Sequence, residues 1–122
     1  MPSAWNSGME ATLGIKPEKE SEGALQDIHW AHGAFGYFPT YTLGNLYSVQ
    51  FFNQAKKEIP NLLGEIENGR LLPLKNWLNE KIHHWGRTFP TEELVKKVTG
   101  EPLNPNYFIQ YLDKKISEVY PD

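Results

Sequence analysis

The segment Asp-Ile-His-Trp-Ala-His-Gly-Ala-Phe-Gly-Tyr-Phe-Pro-Thr-Tyr, from Asp27 to Tyr41, gathers the residue types best suited to chemistry in this chain. It holds one carboxylate (Asp27), two imidazoles (His29, His32), two phenols (Tyr37, Tyr41) and glycines at 33 and 36. Phenol O–H and imidazole N–H groups are good donors to an oxygen that gains negative charge in a reaction. A carboxylate two residues from a histidine can hold the ring in one tautomer or keep it protonated. Asp27 suits a second role equally well, accepting a backbone N–H as the cap of a turn. Glycine lets the backbone come close to a ligand. Other polar residues read as structural. His32 is a loop residue. His83 and His84 are adjacent, so on a helix they point about 100° apart and do not share a metal. One of the two is expected against Trp85 and the other in solvent. Glu18, Glu20 and Glu22 form a solvated loop, while Tyr47, Phe51 and Phe52 read as core.

The same segment carries a resemblance. Gly23, Gln26, Asp27, His29 and Trp30 form one motif, and Gly36-Tyr37-Phe38-Pro39-Thr40-Tyr41, followed by Leu43, Gly44 and Asn45, forms another. Further matches run through Asn68-Gly69, Trp77-Leu78, His83, Gly86-Arg87, Thr99-Gly100-Glu101 and Tyr111-Leu112. In these motifs the chain resembles the thermostable, Taq-type zinc carboxypeptidases. The resemblance implies an all-helical, gluzincin-type carboxypeptidase fold, a dimer, and removal of single residues from peptide C-termini with a bound metal, zinc or cobalt. In that family the metal is held by a His-Glu-x-x-His helix and a downstream Glu. Histidines at i and i+4 share one helix face there, and the intervening Glu serves as general base. This sequence has no His-Glu-x-x-His, and nothing in it matches the family's arginine motif for the substrate carboxylate. The resemblance therefore implies that residues 1–122 are a single C-terminal piece of a metallocarboxypeptidase, holding no cofactor and inactive alone. The related thimet-type oligopeptidases place a His and, twelve positions later, a Tyr near the scissile carbonyl, the spacing of His29 and Tyr41. By that analogy His29 and Tyr41 are the catalytic donors, Gly36 and Tyr37 contact substrate, and Asp27 supports His29.

These residues must be positioned by helices. Ser3 and Gly14 bracket a helix over 3–13. Residues 14–24 are a polar loop, and 25–38 an irregular aromatic and Gly-rich segment. Pro39 opens a long helix to about Glu58, with Tyr41, Leu43, Leu46, Tyr47, Val49, Gln50 and Phe51 on a broad apolar stripe. Pro60 opens a helix to Asn68, Pro73 one that stops at Gly86, and Thr91 caps one ending near Gly100. Asn104-Pro105 caps a last helix whose buried side is Phe108, Ile109, Leu112, Ile116 and Val119. No segment alternates with period two, so the fold class is all-α.

Composition bounds the function. Apolar residues make up 39% and charged residues 22% of the chain, as in a globular domain. A net charge of −3 with no long basic run argues against nucleic acid or an anionic membrane as partner. The absence of cysteine excludes thiol chemistry and disulfides. The start of the chain lacks a basic segment followed by an apolar one, and no apolar run spans a bilayer, so a cytoplasmic setting is expected. The expected partners are a peptide substrate and either an N-terminal catalytic chain or a second copy. The alternative function is a stand-alone helical interaction module that self-associates through apolar surface.

Overall fold

The computed structural model describes residues 1–121. Six α-helices and four short 3-10 turns account for its regular structure, with no strand among the described residues. The chain divides into two compact units, Met1–Tyr41 and Thr42–Asp122.

The first unit begins with α1, Pro2–Leu13. Pro2 occupies the opening turn, where its missing N–H costs nothing, so the helix starts ahead of Ser3 and no side chain caps it. Gly14, at φ 67°, ends it in the left-handed region and donates its N–H to the Glu10 carbonyl. The expected loop and irregular segment are more ordered than their composition suggests. They fold into successive 3-10 turns at Glu20–Glu22, Ala24–Gln26 and Ile28–His32. Short turns of this kind let a polar, glycine-broken stretch satisfy its backbone without a long helix. A Cβ on Gly23 would lie 3.2 Å from Pro17, which explains a glycine at this buried position. Trp5 meets Trp30 edge-to-face at 5.9 Å, and Trp30 stacks on Phe35 at 6.1 Å.

The long helix α2 runs Pro39–Glu58, as the sequence predicts. In the second unit it is followed by α3 (Leu62–Glu67), α4 (Leu72–Lys81), a 3-10 turn at His83–Trp85, α5 (Thr91–Thr99) and α6 (Asn106–Val119). Ala55, Leu62, Trp77 and Val98 form its buried centre, with Phe51, Phe52, Ile59, Ile66, Leu74, Leu78, Ile82 and Leu94 packed around them. The Trp77 indole N–H donates to Glu58 Oε2 at 2.7 Å, which satisfies its polar edge. Gln50, expected on the apolar stripe of α2, is 2% exposed and acts as a polar pin. Its amide donates to Thr99 Oγ1 and to the Pro102 carbonyl, both at 3.0 Å, and its Oε1 accepts the Asn104 N–H at 2.8 Å.

Several boundaries differ from expectation for local reasons. The helix expected from Pro60 starts at Leu62, because Asn61 adopts φ 52° and Pro60–Asn61 form the turn before it. The helix expected up to Gly86 ends at Lys81 and gives way to the His83–Trp85 turn. Thr91 begins α5 but makes no side-chain cap. Asn104 does act ahead of α6, its Oδ1 accepting the Asn106 N–H at 3.1 Å. Of the face of α6 expected to be buried, Phe108 is half-buried but the rest is open: Ile109, Leu112, Ile116 and Val119 are 50%, 39%, 55% and 57% exposed. The stripe exists, but no other described element covers it. No helix among the described residues is long and apolar enough to cross a membrane.

Candidate functional site

Asp27 lies between two 3-10 turns, and its Oδ1 accepts the backbone N–H of His29 at 3.1 Å, capping the Ile28–His32 turn. The same oxygen lies 2.7 Å from His29 Nδ1. The two roles open in the sequence are thus filled by one atom. Asp27 is 9% exposed, so this pairing takes place largely out of water. Gly33, at φ 73°, closes the turn and donates its N–H to the carbonyls of His29 and Trp30.

The other face of the imidazole is built by the segment leading into α2. Gly36, at φ 74°, makes a bend that a side chain would strain. The Tyr37 carbonyl accepts both the N–H and the hydroxyl of Thr40, at 2.9 and 2.7 Å, which fixes the first turn of α2. Tyr41 then projects back toward the histidine, with Oη 3.4 Å from His29 Nε2. Tyr37, Phe38 and Tyr41 surround the imidazole, with ring centres 5.1, 5.3 and 5.6 Å from it. Tyr37 and Tyr41 meet edge-to-face at 5.7 Å. All three flanking rings are about half exposed, at 49%, 53% and 56%, so the half-buried imidazole sits in a cup of aromatic surface open to solvent.

Of the sequence candidates, Asp27, His29, Tyr37 and Tyr41 come together, and Gly36 supplies the bend that brings them there. His32 is exposed. Phe38 also belongs to the cup, although an apolar ring carries no chemistry of its own to mark it in the sequence. Its place inside the Gly36–Tyr41 motif was the available signal. Away from the site, His83 Nδ1 pairs with Asn79 Oδ1 at 3.1 Å and His84 packs on Trp85 at 5.1 Å.

A metal does not fit the residues of this cup. Among the described residues no three His, Cys, Asp or Glu side chains converge as a ligand set. The one carboxylate and the one imidazole present are already bonded to each other. Their arrangement suits hydrogen bonding to a polar ligand atom, with phenol and imidazole at the open rim.

The profile of the family described as Carboxypeptidase Taq (M32) metallopeptidase matches residues 1–116. The chain belongs to the M32 metallocarboxypeptidase family. Among its M32 relatives, thermostable carboxypeptidase 1 of Pyrococcus furiosus is 50% identical over 115 residues, covering 94% of this chain and 23% of that protein. Carboxypeptidase 1 of Bacillus subtilis is 42% identical over 120 residues, covering 98% of this chain and 24% of that protein. The crystal structure of the M32 carboxypeptidase from Deinococcus radiodurans R1 superposes with a TM-score of 0.86 at 34% identity, over 99% of this chain and 24% of that one. The chain therefore has the all-helical M32 fold as a segment, and spans about a quarter of the length of the relatives it matches.

Proposed function

We propose that residues 1–122 are one C-terminal piece that forms a wall of a carboxypeptidase site. On this reading Tyr41 and His29 face the scissile carbonyl of a peptide substrate, Gly36 and Tyr37 line the approach, and Asp27 holds His29. The observation that carries it is the approach of His29 Nε2 and Tyr41 Oη to 3.4 Å at the rim of an open aromatic cup. The zinc or cobalt ion, the general base and the anchor for the substrate carboxylate come from residues outside this chain. The metal, when bound there, would polarise the carbonyl. The chain alone is then inactive. A cytoplasmic setting belongs to the same proposal.

A chimera tests it, in which this chain replaces the matched quarter of the Pyrococcus furiosus relative. The chimera is expected to release C-terminal residues from peptides, and the isolated chain is not. Tyr41→Phe in the chimera should lower kcat by about 10²–10³, the cost of one lost oxyanion donor. Chelator-sensitive release by the pure isolated chain would sink the claim of incompleteness. Full activity in both Tyr41→Phe and His29→Ala chimeras would sink the assigned roles.

The open face of α6 favours self-association as a property of the isolated chain. Light scattering at tens of micromolar should give a dimer mass, and a monomer there would count against this part.

A further inference from the structure

Two candidate donors stand at the rim of the cup, but the hydrogen-bond pattern behind them limits how many protons they can offer. An ionised carboxylate only accepts, so the 2.7 Å contact between Asp27 Oδ1 and His29 Nδ1 requires the proton to be on Nδ1. Asp27 is nearly enclosed, and an enclosed carboxylate that gave up this donor would be left poorly compensated. The backbone N–H of His29 binds the same oxygen, so the turn itself holds the carboxylate in place for Nδ1. With Nδ1 protonated, the Nε2 of a neutral imidazole is an acceptor. Only one hydrogen can then lie between Nε2 and Tyr41 Oη, and it belongs to the phenol. At 3.4 Å this contact is longer than a good hydrogen bond, so it is weakly held.

We infer that Asp27 is a positioning residue that fixes neutral His29 in its Nδ1–H tautomer, so that the pair holds one hydrogen at the rim, the Tyr41 hydroxyl proton, which Nε2 holds weakly and Tyr41 can turn to a polar ligand atom. This rests on the reading of the cup as a substrate wall and changes the division of labour within it. His29 in its neutral form holds and orients Tyr41. It becomes a donor itself only as an imidazolium, when Nε2–H points to the Tyr41 oxygen and leaves the phenol proton free for the ligand. The titratable groups facing His29 are Asp27 from its own turn, Tyr37 from the segment after Gly36, and Tyr41 from α2.

The test is the tautomer itself, read from long-range proton–nitrogen spectra of the ¹⁵N-labelled chain above neutral pH. His29 is assigned by its loss in His29→Gln. The expected spectrum has Nδ1 at the protonated and Nε2 at the unprotonated position. The exposed His32 should instead show the Nε2–H form that free imidazole side chains favour. Tyr41→Phe should leave the His29 pattern in place, because Asp27 sets it. Asp27→Ala should reverse it, with far-UV circular dichroism reporting whether the fold survives. A protonated Nε2 on neutral His29 in the wild-type chain would overturn the proposal, and so would an unchanged pattern in a folded Asp27→Ala. If Asp27→Ala does not fold, the wild-type and Tyr41→Phe spectra still decide. These spectra need no activity, so failure of the chimera would refute the substrate-wall reading without touching the tautomer.

Discussion

Gln50 offers the sharpest test of what holds the second unit together. Replacing it with Met keeps the side-chain length and nearly the volume, so no cavity enters the comparison. Three hydrogen bonds are lost, to Thr99 Oγ1, the Pro102 carbonyl and the Asn104 N–H. The loss at Thr99 is mild, since its hydroxyl still donates to the Val95 carbonyl at 2.9 Å. The Pro102 carbonyl and the Asn104 amide are left without the partner that Gln50 supplies. An orphaned buried group costs about 1–3 kcal/mol, and water recovers part of that here, since Pro102 is exposed and Asn104 half-buried. The expected loss is about 2–4 kcal/mol. For a urea slope of about 1–2 kcal/mol per M, the midpoint should fall by roughly 2 M. Gln50→Ala should fall further, by about 1–3 kcal/mol, because it adds a cavity. Equilibrium unfolding followed by far-UV circular dichroism measures all three proteins. A Gln50→Met midpoint within roughly 0.3 M of wild type, at unchanged slope, would show that the pin contributes nothing and that packing alone closes this corner.

Other consequences are as direct. The Glu58 carboxyl is held below its ordinary value of 4.5 by the Gln54 side-chain amide first and the Trp77 indole second, against a desolvation effect smaller than either, with Lys81 adding less. A lowered folded value means stability that is present above pH 4.5 and lost as pH falls through that lowered value. The stability gap between wild type and Glu58→Gln should therefore shrink across that acid window, and a pH-independent gap would refute the linkage. The Tyr107 hydroxyl is pushed above its ordinary value of 10.0, chiefly by its hydrogen bond to Glu101. Its contribution is complete below pH 10.0 and lost as pH rises through the raised value, so tyrosinate absorbance should lose its latest-titrating component in Tyr107→Phe. Gly36→Ala and Gly44→Ala make a contrasting pair, since a Cβ at either position meets nothing within 4 Å. The first, at φ 74°, should destabilise by about 1–2 kcal/mol, and the second, inside α2, should stabilise by about 1 kcal/mol. Urea midpoints moving the same way in both would show that backbone conformation does not govern them.

The helices were readable where proline and glycine restrict the backbone directly. Pro39 opens α2, and Gly14 and Gly100 end their helices in the left-handed region. Pro60 misleads because a proline also suits a turn, and Asn61 takes the left-handed conformation that delays α3 to Leu62. Gln50 was read by its place on the stripe, since local pattern cannot reveal partners some fifty residues away in the chain. On α6 the periodic apolar stripe was legible, but periodicity does not say what lies opposite, and here the stripe is open. At the site, only the resemblance to the thimet-type oligopeptidases put His29 and Tyr41 together, and their side chains come within 3.4 Å. The sequence left Asp27 between two roles because both need the same short acceptor at the same place. Phe38 could not be placed before the bend at Gly36 was known.

The Asp27–His29–Tyr41 cup is also a statement about the order in which this chain gains structure. Its contacts close loops of only 2 and 12 residues. The Gln50 bonds join positions separated by 49, 52 and 54 residues. Loop-closure entropy grows with the logarithm of loop length, so the longer closures carry about 1.3 kcal/mol more than the His29–Tyr41 loop. A nascent chain can therefore rehearse the cup from a short stretch of sequence, well before the distant segments that Gln50 ties together have met.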